Sequence, residues 1–361
     1  MATTPGISPE VSGLSLDFWD SARFASVFGN TMKMNYRDFG KTGWSLSEIG
    51  FGAWAIGGGW GKQSDKESLA ALHRAIDLGI NFIDTAAGYG DGHSERVIGE
   101  VLKERSEDVI VATKTPVTGV GSWPPSPYCR SSVRYPEAYL RENVEERLRC
   151  LGIDSLDLLQ LHTWTRAWNR DPEPLLILRE LKAEGKIRAV GISTPEHDQN
   201  SVIDLMRAGL VDSVQVIYNI FEQEPAAELL PVAKETGTAI IVRVAFDEGV
   251  LTGKYSTDWK FPEEDFRSDY FAGDRLGRAV QRVRHLESEL AEIDGHTLTT
   301  PETALKFVLD HEAVSTVIPG IRNVYQAERN AAVSSLPEIS EAAKEVCRNH
   351  RWNRGFWYGG K

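Results

Sequence analysis

The feature that most limits the fold is an alternation running from about Tyr36 to about Val333. Short apolar runs of strand length each give way to a longer stretch of helical period, and the pair then starts again. The strand-type runs lie at Ser47–Gly52, at Ile80 to Asp84, at Val109–Ala112 ending in Thr113 and Lys114, and at Leu156–Leu161 ending in His162. Four more follow: Ile187–Ile192 ending in Ser193 and Thr194, Ser213–Ile217, Ala239–Val242 ending in Arg243, and Ser315–Ile318. The helical period predicts helices around Ser68–Ile76, Ser94–Lys103, Pro136–Leu151, Pro174–Ala183, Ser201–Ala208, Ala226–Glu235 and Thr303–Leu309, with a last one from Val324. Apolar strands alternating with amphipathic helices require a parallel sheet covered on its faces. Eight such units within 361 residues favour a closed (β/α)8 TIM barrel over an open doubly wound sheet. The barrel is expected over 34–340, with 1–33 as an N-terminal extension and 341–361 as a C-terminal tail. The segment Phe246 to Arg275 is the longest connection and reads as a functional or mobile loop.

In such barrels the reacting groups sit at the C-terminal ends of the strands. Those ends carry Asp84, Lys114, His162, Ser193 and Arg243, and Gln215 lies within a strand from which it could point into the barrel mouth. An unpaired carboxylate at a core edge is costly, so Asp84 demands a cationic partner. Lys114, one strand along, supplies it. A nearby ammonium stabilises phenolate, so it should lower Tyr89 from the ordinary value of about 10. A tyrosine so placed can give a proton to a developing alkoxide or take one from an alcohol. His162 can hydrogen-bond and orient the same oxygen. An electron source is missing from this set. The eight histidines show no HxH or HExxH spacing, so no metal is expected, and hydride from a nicotinamide is the natural complement.

Composition excludes several other roles. A net charge of −12 argues against a nucleic-acid footprint. No apolar run approaches the ~18 residues of a membrane span. Three cysteines without CxxC spacing suit a reducing cytoplasm. Residues 1–33 lack a signal-peptide core. Their aromatic residues Phe18, Trp19, Phe24 and Phe28 fit either a surface-docked arm or a partner contact. Trp352, Phe356, Trp357 and Tyr358 pack the tail near the mouth or against another subunit. Trp54, Trp60, Trp123 and Trp164, on loops after the first, third and fourth strands, read as walls of a substrate pocket, with simple loop packing as the alternative.

The ordered residues Asn81-Phe82-Ile83-Asp84-Thr85-Ala86 with Tyr89-Gly90, Lys114, and Leu159-Gln160-Leu161-His162 resemble the catalytic tetrad of the aldo-keto reductases. So do Gly191-Ile192-Ser193, Gln215 with Tyr218-Asn219, Gly249 to Lys254, and Ile318-Pro319-Gly320-Ile321-Arg322 with Gln326 and Asn330. The resemblance implies Tyr89 as general acid/base, Asp84 and Lys114 as its tuning pair, and His162 as the orienting residue. It implies Ser193 and Gln215 on the nicotinamide carboxamide, and Gly249, Leu251, Gly253 and Lys254 around the pyrophosphate. Arg322, after Gly320, would take a 2′-phosphate, which favours NADP(H) over NAD(H). Gln326 and Asn330 would face the adenine. Two positions depart from the family's usual pattern. Thr194 replaces an Asn, and Arg243 replaces an aromatic that stacks on the nicotinamide. The expected activity is reduction of an aldehyde or ketone with NADPH. Oxidation of a sugar or polyol is the first alternative and a cofactor-binding regulatory subunit the second.

Overall fold

A computed structural model describes residues 33–119 and 124–352, so Trp123 and the aromatic residues of the extension and of the far tail lie outside it. The barrel unit begins at Met34. An antiparallel hairpin, β1 (Tyr36–Asp38) and β2 (Ser45–Ser47), comes first. Eight parallel strands then follow in chain order among the described residues: β3 (Phe51–Gly52), β4 (Phe82–Asp84), β5 (Ile110–Thr115), β6 (Leu156–Leu161), β7 (Ile187–Ser193), β8 (Ser213–Ile217), β9 (Ala239–Arg243) and β10 (Val314–Val317). Each pairs with the next.

The first and last strands meet through Gly50 N to Val317 O at 2.8 Å, Val317 N to Glu48 O at 2.9 Å and Gly52 N to Pro319 O at 3.1 Å. A side chain at Gly52 would put Cβ 2.7 Å from the Ile318 carbonyl oxygen, so this seam requires glycine. The helices lie between the strands where the sequence period placed them. The one around Ser201–Ala208 is divided into a 3-10 turn, Gln199–Val202, and a short helix, Ile203–Arg207.

Two apolar cores result. The larger one fills the space between sheet and helices. The smaller one lies inside the barrel: Phe82, Ile110, Ala112, Leu158, Ala189, Ala239, Ile241 and Ile318, with Phe39 and Leu46 entering from the hairpin. Side chains alternate along a strand. Phe82 therefore shares the inward face with Asp84, Ile110 and Ala112 with Lys114, Leu158 with Gln160, and Ile241 with Arg243. The interior is thus apolar at the floor and polar at the mouth. The hairpin plugs that floor, with Phe39 fully buried, stacked on Trp44 and tilted against Phe82, each 5.9 Å away between centroids.

Among the elements the sequence reading does not contain, three are substantial: the hairpin, helix Arg275–Ala291 and helix Glu341–Asn349. The second follows directly on the long loop and buries Leu276, Ala279, Val280, Val283, Leu286 and Leu290 on one face. The third begins at the Ser340 cap and buries Ala343 and Cys347. Among the described residues no helix is long and apolar enough to cross a membrane.

Phe39→Ala should open a cavity beneath the inner core and cost about 3–5 kcal/mol. Urea unfolding checks this as a lowered midpoint at unchanged slope.

Candidate active site

The site grows from the inward faces of adjacent strands. Asp84 ends β4, and the register pairs it with Ala112, so Lys114 is the next inward residue up β5. The two side chains meet at 2.5 Å between Lys114 Nζ and Asp84 Oδ1. The same ammonium donates to the Thr85 carbonyl at 2.9 Å and to Tyr89 Oη at 3.4 Å. The other carboxylate oxygen of Asp84 accepts from Gln215 Nε2 at 2.7 Å and Gln160 Nε2 at 3.3 Å. Lys114 is fully buried and Asp84 is 3 % exposed. Such a pair survives burial only when its remaining donors and acceptors are satisfied, as they are here.

Tyr89 stands on the turn after β4, its N–H bonded to the Ala86 carbonyl at 3.0 Å. The loop after β3 passes close by, and a Cβ on Gly57 would lie 2.5 Å from the Tyr89 carbonyl carbon. His162 follows β6 and is held by its N–H to the Thr115 carbonyl at 2.9 Å. Its ring sits edge-on to Tyr89, 6.0 Å between centroids.

Electrostatics assign the protons. Burial works against the Lys114 ammonium, but Asp84 and Tyr89 together outweigh it and raise Lys114 above the usual lysine value. The His162 imidazole is pushed down to about 3 by burial and by the charges of Lys114 and Arg243. Tyr89 corrects the sequence expectation. Burial raises the phenol above the ordinary tyrosine value, and the lowering effect of Lys114 does not overcome it. At neutral pH the site holds a protonated tyrosine, an ammonium and a neutral imidazole.

The residues expected to hold the cofactor divide into engaged and open groups. Gln215 turns its amide inward to Asp84, and its Oε1 accepts from Ser193 Oγ at 3.4 Å. The Thr194 hydroxyl donates to the Gln215 backbone carbonyl at 3.1 Å, so its proton is committed within the fold. Arg243 donates to the Thr194 carbonyl at 3.1 Å and to Glu196 at 3.2 Å, while its buried Nε has no partner. Beyond it the backbone is strained: Val244, Asp247 and Glu248 all have φ between 50° and 57°. Gly249 and Gly253, with φ of 95° and 72°, bracket the 3-10 turn Val250–Thr252, and buried Leu251 anchors that turn in the core. Lys254 lies over the Tyr255 ring at 4.9 Å. Partial burial and the charges of Arg267 and Arg322 hold it down to about 8.

Arg322 is more occupied than expected. Its guanidinium donates to Gln63 Oε1 at 3.0 Å, the Trp60 carbonyl at 2.9 Å and the Lys62 carbonyl at 2.7 Å, while its backbone N–H donates to Gln326 Oε1 at 2.7 Å. The Trp60 indole covers Gly320, where a Cβ would lie 2.3 Å from the ring. Asn330 is buried and its Nδ2 has no partner.

Of the tryptophans, Trp54 faces the site, 6.2 Å from Tyr89, 5.7 Å from Trp60 and 4.7 Å from Phe266. Trp164 does not wall a pocket. It is fully buried, donates Nε1–H to Asn169 Oδ1 at 2.8 Å and meets Trp168 edge-on, so it is core. Gln160, Glu196, Phe266 and Arg267 were missed as site residues. Gln160 had a legible signal: a polar residue inside an apolar strand, in register with Lys114.

The sequence pattern of the Aldo/keto reductase family matches residues 48–350. The chain belongs to this family. It is 32% identical over 326 residues to the aldo-keto reductase YhdN of Bacillus subtilis (strain 168), covering 87% of this chain and 92% of that protein. It is 28% identical over 327 residues to the NADH-specific methylglyoxal reductase of Escherichia coli (strain K12), covering 86% and 96%. Among solved structures, the glycerol dehydrogenase AKR11B4 from Gluconobacter oxydans superposes with a TM-score of 0.71 at 28% identity, covering 88% and 94%. The protein is therefore an aldo-keto reductase oxidoreductase with the family's (β/α)8 barrel, and aldo-keto reductases use nicotinamide cofactors.

The His162 assignment is open to direct measurement. Nitrogen-15 NMR should show a neutral imidazole at pH 5, because its folded value near 3 lies below that pH. Since an unfolded histidine takes its proton near pH 6.5, His162 destabilises the fold as pH falls from there towards 3. His162→Gln should flatten that part of the stability profile.

Proposed function

We propose that this chain reduces an aldehyde or ketone to an alcohol with NADPH, using Tyr89 as the proton donor. The observation that carries the reading is the Lys114 ammonium, which touches both Asp84 and the Tyr89 hydroxyl. When bound, the nicotinamide supplies the hydride. A carbonyl oxygen placed between Tyr89 and His162 would meet one acidic O–H and one imidazole N–H, two donors aimed where negative charge develops. Lys114 opposes the loss of its own proton, since Asp84 holds it, and so it stabilises the phenolate that donation leaves behind. With its phenol raised by burial, Tyr89 carries its proton at neutral pH, as a donor to the carbonyl oxygen must.

The chain's own groups fit a dinucleotide. Arg243 Nε and Asn330 Nδ2 are buried donors without partners, on the two residues that the family resemblance aligns with the nicotinamide and adenine. Lys254, Arg267 and Arg322 lie close enough together that the two guanidiniums lower the Lys254 ammonium, a local basic site in an acidic protein. Arg322 keeps two of its five N–H bonds for a phosphate. The NADP(H) preference therefore rests on the three cations together. The NADH-specific relative makes the cofactor choice a real question for this chain.

Tyr89→Phe should lower kcat for carbonyl reduction by about 10²–10⁴-fold while leaving cofactor affinity within about twofold. Steady-state kinetics with NADPH, alongside binding titrations of NADPH and NADH, check both halves. Unchanged turnover would overturn the proton assignment, and tighter NADH binding would overturn the cofactor choice.

A further inference from the structure

Outside the barrel mouth, helix Arg275–Ala291 and the end of helix Glu341–Asn349 bring together His285, Glu289 and His350. Their candidate ligand atoms all lie within 4.8 Å of one another. His285 and Glu289 are four residues apart on one helical face, so both project towards the same point. His285 Nε2 lies 3.0 Å from Glu289 Oε1, and His350 Nε2 lies 3.3 Å from Glu289 Oε2. The two imidazole rings are 5.3 Å apart.

We propose that these three side chains form a binding site for a zinc-class divalent ion. Zinc held at about 2.0 Å from its ligands keeps neighbouring ligand atoms about 3.3 Å apart in a tetrahedron. The His350-to-carboxylate separation has that spacing, and His285 lies 3.0 Å from the other oxygen of the same carboxylate, which can ligate through either atom. Two imidazoles and one carboxylate suit zinc, and a water would complete four-fold coordination. The site has the access that a fourth ligand requires: the His285 side chain is 69% exposed, whereas that of His350 is 5% exposed and fixed in the packing. The neighbouring cation on that face, Arg282, is turned towards the Trp352 ring at 5.0 Å and donates to the Arg351 carbonyl at 3.1 Å. Without metal, His350 hydrogen-bonds Glu289 and His285 sits at ion-pair distance from the same carboxylate. With it, the ion pins the helix that ends at Asn349 to the helix that follows the Phe266 and Arg267 segment. Its role is a structural clamp, independent of the hydride chemistry.

The test uses the full chain without an affinity tag, loaded with ZnCl2 and then freed of loose metal by gel filtration. Elemental analysis should find about one zinc per chain, and zinc should raise the melting temperature. His285→Ala, at an exposed position, and Glu289→Gln should both lose the bound metal and the shift while melting like the metal-free parent. A parent chain that retains no zinc, or a His285→Ala chain that retains as much as the parent, overturns the proposal.

Discussion

The structure depends on one buried ion pair. Lys114 and Asp84 are held inside a sheet where neither could remain charged alone, since removing one partner of such a pair costs about 3–5 kcal/mol. The surrounding donors and acceptors hold the pair in place. Thr85 takes a second ammonium proton, and Gln215 and Gln160 cover the carboxylate oxygen that Lys114 leaves. Four strands, β4, β5, β6 and β8, thus contribute to a single polar layer on top of an apolar floor. The barrel's alternation makes this possible, because a one-residue slip of any strand would remove its polar residue from the layer.

That layer explains why the functional groups hold different charges so close together. His162 and Tyr89 sit beside the same ammonium, and burial drives both towards their neutral forms. Lys114 keeps its proton because Asp84 and Tyr89 together compensate its burial. A protonated phenol, an ammonium and a neutral imidazole therefore stand side by side at neutral pH. The mouth above it is covered from two sides, by Trp54 and Trp60 after β3 and by Phe266 and Arg267 after β9. Arg322 ties the Trp60 loop to the segment after β10.

Much of this was legible in the chain itself. The eight strand-to-helix units, and the alignment of Asp84, Lys114 and His162 at strand ends, follow from periodicity and residue type. What escaped depends on geometry across the chain. Nothing in the sequence pattern announces that the Gln215 amide donates to Asp84. The sign of the Tyr89 shift could not be read from a neighbouring lysine, because burial depends on the packing of distant loops. Trp164 has the same residue type and a similar loop position to Trp54, yet one is core and the other faces the site. Helix Arg275–Ala291 had a visible apolar stripe and was hidden only by the long loop before it. The His285, Glu289 and His350 cluster has no motif at all, since its third member is 61 residues from its second.

The central claim is that Asp84 acts on the reaction through Lys114 and the proton of Tyr89. A double-mutant cycle on kcat/KM with Asp84→Asn and Tyr89→Phe tests it most directly, with folding of each variant checked by thermal melting. The account predicts that Asp84→Asn lowers kcat/KM when Tyr89 is present and causes little further loss once Tyr89 is phenylalanine. An equal loss in both backgrounds would contradict it.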